Sequence, residues 1–240
     1  MRIRETIVAA GFLSAFGAVL LAPGEAAAQP VKSIPPRDGT WGTVSNVTMV
    51  IGAGIVTLMP RIYFNDPEAT VGWKARWHFS VLAPALGMTA LTLLVDGPIR
   101  NGIKGPRPGC TLDDTAGALP RSECESFGMM STQSYASWGA TGMGTTVFLV
   151  DTLRYSQGKF NAGGFVGNIA VPLVLSVFTS VGRGIGPGLD ARGRQNQAYE
   201  TPVQVVAGSL TGFATGAILG LAYSLFQRPN CGYGSSFVCW

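Results

Sequence analysis

The chain is expected to be an all-α, polytopic membrane helix bundle of five or six transmembrane helices, and three features predict it. Only 12% of its 240 residues are charged while 47% are hydrophobic, and mean hydropathy is +0.29. A soluble domain of this length carries about 25% charge to coat its surface. The apolar residues come in separated runs, each about as long as the roughly 20 residues that cross a bilayer. The runs are also rich in Gly, Ala, Ser and Thr, as in "WGATGMGTT" and "AGSLTGFATGAILG", and small residues let membrane helices approach closely.

The elements follow in order. Residues 1–28 read as an export signal: MRIRET is a positive leader, Ile7 to Ala22 an apolar segment, and Ala26-Ala27-Ala28 a small-residue cleavage boundary. The same stretch would also serve as an uncleaved first transmembrane helix. Residues 29–44 form an extracytoplasmic linker, 45–226 the helical membrane domain and 227–240 a C-terminal tail. Within the domain, apolar spans are expected near 45–64, 80–97, 134–153, 163–182 and 202–226. An outer-membrane barrel is a lesser alternative, because strict alternation is absent and "IAVPLVLSVF" is continuously apolar.

With residue 30 outside, loops 65–79 (Lys74, Arg76) and 154–162 (Arg154, Lys159) are cytoplasmic and obey the positive-inside tendency. This predicts a bacterial-type inner membrane protein whose loops 98–133 and 183–200 face the periplasm. Those two loops nevertheless hold Arg100, Lys104, Arg107, Arg183, Arg192 and Arg194. Such a cluster, placed against the topological tendency, suits an anion better than isolated snorkelling side chains do.

The net charge of +4 is dispersed, without the basic stripe that nucleic acid needs, so nucleic acid is not an expected partner. Cys110 and Cys124 share one outer loop, where an oxidising compartment favours a disulfide. Cys231 and Cys239 fall in a tail that this topology places in the cytoplasm. Neither a nucleotide-binding loop nor a metal-ligand cluster is apparent, so no cofactor and no metal is expected. Asp113, Asp114, Glu123 and Glu125 read as a solvated acidic loop.

Three segments then fall into a pattern. Arg100, six residues, Arg107-Pro108 is the first. "MSTQ", with Ser131, Thr132 and Gln133, is the second. Arg194, five residues, Glu200, three residues, Gln204 is the third. In that order they resemble the motifs Lys-x6-Arg-Pro, Pro-Ser-Gly/Thr-His and Ser-Arg-x5-His-x3-Asp of the type 2 phosphatidic acid phosphatases. That family includes lipid phosphatases and vanadium haloperoxidases. The resemblance covers about residues 45–226 and implies that fold, with a phosphate site made by Arg100, Arg107, Ser131, Thr132 and the third-motif arginine. Spacing selects Arg194 for that arginine, whereas the family's usual placement near the end of the preceding helix selects Arg183.

The departures fall on the chemistry. The resemblance implies a nucleophilic histidine, its orienting aspartate and an acid histidine, and the chain has Glu200, Gln204 and Gln133 there. The single histidine, His78, lies on the opposite face. A carboxylate repels phosphate and glutamine transfers no proton, so the phosphohistidine route is closed. Glu200 can also pair with one of the arginines and turn the pocket into an ion-pair network.

Two functions remain open. One is a non-catalytic membrane protein that binds a phosphate-bearing lipid headgroup or serves as a scaffold for membrane-protein partners. The other is a divergent lipid-phosphate phosphatase using Glu200.

Overall fold

The computed structural model describes residues 39–58, 61–64, 73–76, 82–103, 130–155, 160–184 and 200–226. These are helical apart from one short ribbon. Helix α1 is Gly39–Leu58. Strands β1 (Arg61–Phe64) and β2 (Trp73–Arg76) pair antiparallel, with Arg61 opposite Arg76 and Phe64 opposite Trp73. Helix α2 covers 82–103, α3 covers 132–155, α4 is Ala162–Gly184 and α5 is Pro202–Phe226.

Two boundaries differ most from the sequence reading, and a proline lies near each. The first apolar span, expected at 45–64, is a helix that begins at Gly39 and ends at Leu58. Pro60 follows in the sequence, and a proline disfavours helical geometry in the residue before it; the described residues are otherwise helical, with the short β1–β2 ribbon as the one addition. The second span, expected to end at 97, continues to Ile103 through a π-turn at Val95–Ile99 that contains Pro98. A proline removes one backbone donor and clashes with the carbonyl four residues back, and a widened turn accommodates it.

Further π-turns occur at Asp151–Tyr155, ending α3, and at Val166–Ala170, two residues before Pro172 in α4. Pro172 has no N–H to give the Asn168 carbonyl, and that carbonyl lies against the bare face of Gly144 on α3. A side chain at 144 would collide with it.

Helix α3 is the hub, packing on α1, α2, α4 and most extensively on α5. Its partnership with α5 is parallel. Gly208, Gly212, Gly216 and Gly220 of α5 sit against the backbone of Ser131, Tyr135, Gly139 and Met143 of α3, one turn per step. At Gly208 and Gly220 a Cβ would come within 2.5 Å and 2.7 Å of the Ser131 and Met143 carbonyl oxygens. The two helices thus touch backbone to backbone, the small-residue packing of membrane helices.

The interior between α3 and α4 is hydroxylic. Ser176 Oγ lies 2.8 Å from both Ser137 Oγ and Thr141 Oγ1. Trp138 Nε1 donates to Ser180 Oγ at 2.9 Å, and Thr48 of α1 meets Thr179 at 2.8 Å. Ser45, Ser134, Ser137, Ser176 and Thr179 are buried, while Val50, Leu86, Leu93, Leu153, Val203 and Leu210 are exposed. Smaller apolar clusters, Met88 with Val95, Met130 and Tyr135 and Val56 with Ala140 and Met143, fill the remaining contacts.

Among the described residues, two helices are long and apolar enough to cross a membrane, Ala162–Gly184 and Pro202–Leu225. The expected five or six spans exceed that number, because α3 and its neighbours carry glycine and hydroxyl side chains where a lone span would carry Leu and Ile.

Candidate functional site

The contacts between helices fix which ends lie together. Gly182 of α4 sits against Trp41 and Ser45 of α1, Thr132 of α3 reaches Asp96 of α2, and Ser131 meets α5. The beginnings of α1, α3 and α5 and the last turns of α2 and α4 therefore share one end of the bundle. Arg100, Ser131, Thr132, Gln133, Arg183, Glu200 and Gln204 all fall there. Arg107, Arg194, Cys110, Cys124, Cys231, Cys239 and His78 lie outside the described residues.

A relay of polar contacts runs across this end. The π-turn carries α2 past Pro98, so Arg100 stands one turn after Asp96 and donates from Nη1 to Asp96 Oδ1. The same oxygen accepts from Thr132 Oγ1 at 3.0 Å. Next in the chain, Ser131 caps α3: its Oγ accepts from Ser134 N at 3.1 Å, and its own N–H donates to the Gln204 carbonyl at 3.0 Å.

Gln204 closes the first turn of α5. Its Oε1 accepts from Thr201 N at 2.9 Å, while Thr201 Oγ1 accepts from Gln204 N at 3.3 Å. This is a reciprocal capping box, with Pro202 at the first helical position. Glu200 then pairs with α4: Arg183 Nη2 donates to Glu200 Oε1 at 3.2 Å, and Glu200 N donates to the Arg183 carbonyl at 3.1 Å. Glu200 is wholly buried and Arg183 is 4% exposed.

Each position takes a definite role from these bonds. Gln204, at the place of the orienting aspartate in the resemblance, is a helix cap. Glu200, at the place of the nucleophile, is the buried counter-ion of Arg183. Of the two candidate third-motif arginines, Arg183 lies at this end, and Arg194 is outside the described residues. Several polar atoms are left over: Arg100 Nε and Nη2, Gln133 Oε1 and Glu200 Oε2 are buried without a hydrogen-bond partner. No group of three or more metal-binding side chains occurs among the described residues.

Comparison with protein-family models, with curated proteins and with solved structures gives no match for this chain.

Two members of this end were missed in the sequence. Asp96 carries a signal in its i, i+4 spacing to Arg100, hidden by Pro98, which reads as the end of a helix. Thr201 announces itself as the first residue of Thr-Pro-Val-Gln, a capping-box pattern that the third-motif resemblance overlaid.

Proposed function

We propose that the protein is a non-catalytic integral membrane protein of the lipid-phosphatase type that holds a phosphate-bearing lipid headgroup at this polar end. In this reading the end faces the periplasm from a bacterial-type inner membrane. The observation that carries it is the free edge of Arg100. Arg100 is 7% exposed, spends Nη1 on Asp96 and leaves Nε and Nη2 without a partner. Those two nitrogens share one edge of the planar guanidinium, and their N–H bonds point the same way. That fork matches two oxygens of a phosphate or carboxylate. A buried donor left unmade costs about 1–3 kcal/mol, which an oxyanion would recover.

The absence of catalysis rests on the neighbouring positions. Hydrolysis through a covalent intermediate needs a nucleophile and a proton donor. Glu200 is engaged by Arg183, and Gln133 and Gln204 carry no exchangeable acid proton. The membrane assignment draws on the two long apolar helices, the glycine contact of α3 with α5 and the outward-facing Val and Leu side chains.

The test uses purified full-length protein in detergent with short-chain phospholipids. Phosphate release should be undetectable in the unmodified protein and in Glu200→Ala alike. Phospholipid binding should be present and lost in Arg100→Met. Phosphate release by the unmodified protein that disappears in a Glu200→Ala variant still eluting as folded protein would overturn the reading and make Glu200 catalytic.

A further inference from the structure

Arg100 is held from one side only. The π-turn around Pro98 sets it one turn beyond Asp96, where its Nη1 donates to Asp96 Oδ1. Thr132 Oγ1 donates to the same oxygen at 3.0 Å. One carboxylate oxygen thus ties the arginine on α2 to the first turn of α3.

That tie fixes the aim of the guanidinium. The group is rigid and planar, so holding it at Nη1 decides where the opposite edge, Nε with Nη2, is presented. Those two nitrogens have no partner of their own, which leaves Asp96 as the one group that orients them. Thr132 acts through Asp96 and not on a ligand, because a hydroxyl has a single proton to donate and Asp96 receives it.

The tie also sets charge. An anion on the Nε–Nη2 edge has the Asp96 carboxylate across the same guanidinium, and the two repel in proportion to the anion's own charge. Stability is not the purpose of the pair: the Asp96 side chain is 50% exposed, and a solvent-facing i, i+4 ion pair contributes little to folding.

We infer that Asp96, tethered by Thr132, is the positioning and charge-selecting residue of the phosphate site. It aims the free edge of Arg100 and weakens the hold on a second negative charge. The preference of the site is thereby shifted toward singly charged phosphodiesters and away from phosphate monoester dianions. This rests on the phosphate reading of Arg100 above. The same chemistry serves a lipid headgroup and a soluble glycerophosphate.

Isothermal titration of the full-length protein in detergent, at pH 8 and about 20 mM ionic strength to limit screening, tests it. Dihexanoyl phosphatidylglycerol is a diester with one negative charge, and dihexanoyl phosphatidic acid is a monoester carrying nearly two. Asp96→Asn keeps an oxygen that accepts from both Arg100 and Thr132 and removes only the charge. It should tighten the diester about threefold and the monoester about tenfold, the second factor close to the square of the first because the ligand charge doubles. Each factor compares two proteins alike in every other charge, so the remaining cations cancel, and a gain in affinity does not come from misfolding. Salt at about 0.5 M should shrink both gains. Thr132→Val leaves the charge and loosens the carboxylate, so it should weaken both ligands equally, about threefold for one hydrogen bond, and Thr132→Ser should restore them. Glycerol 3-phosphate showing the same Asp96→Asn gain as phosphatidic acid identifies a soluble source, and a gain confined to the lipid identifies the membrane; either keeps the role of Asp96. Asp96→Asn that tightens both lipids equally, or weakens either, would overturn the charge selection. Thr132→Val binding like the unmodified protein would overturn the positioning. Failure of the unmodified protein to bind any of these ligands would overturn the phosphate reading itself.

Discussion

At the scale of single residues, Arg183 and Glu200 decide most. A buried pair broken from one side leaves an uncompensated charge, which costs about 3–5 kcal/mol, whereas removing both charges together is often close to neutral. Glu200→Ala should therefore lower the thermal midpoint in detergent sharply, and Arg183→Met combined with Glu200→Leu should recover most of the loss. A double variant no more stable than Glu200→Ala would count against the ion pair as the cause. Gln204→Ala opens the capping box and should cost about 1 kcal/mol, read as a smaller shift of the same midpoint. Which residues cluster was partly legible: Arg100, Ser131, Thr132, Gln133, Glu200 and Gln204 were all marked in the sequence. Their roles were not, because a motif spacing does not tell a cap from a catalytic group. Spacing selected Arg194 and helix-end placement selected Arg183; Arg183 is the one seen to meet Glu200, and Arg194 lies outside the described residues.

Among the elements, close approach is the governing feature. Gly212 and Gly216 have the α3 backbone where a side chain would stand, so Gly212→Leu should prevent α3 and α5 from closing and abolish folded monomer on size-exclusion chromatography. Gly144→Val should do similar damage on another face of α3, against the Asn168 carbonyl. Ser176→Ala removes a hydroxyl shared by Ser137 and Thr141 and should cost about 0.6 kcal/mol, the average for hydrogen bonds between membrane helices. The glycine and hydroxyl content made tight packing readable from the sequence. The π-turns were not readable, because Pro98 and Pro172 signal a break without saying whether the helix stops or widens to pass.

Across the whole molecule, the apolar exterior and polar interior predict that the protein stays in the membrane pellet after alkaline carbonate extraction. Release into the supernatant would contradict the membrane reading. The helical character was legible because composition and run length are global properties, while the number of spans was not, since a buried helix of small residues does not have to look like a lone span. The shared polar end has one more consequence. Each helix is a dipole, positive at its beginning and negative at its finish, worth about 0.3–1 kcal/mol to a well-placed charge and up to about 2 when partly buried. Asp96 and Glu200 sit at the beginnings of α3 and α5, while Arg100 and Arg183 sit at the finishes of α2 and α4. All four charges thus lie in fields that favour their own sign. Exchanging the partners, Arg183→Glu with Glu200→Arg, keeps a salt bridge on paper but turns both charges against their helices, so the exchanged protein should be less stable than the one with both charges removed.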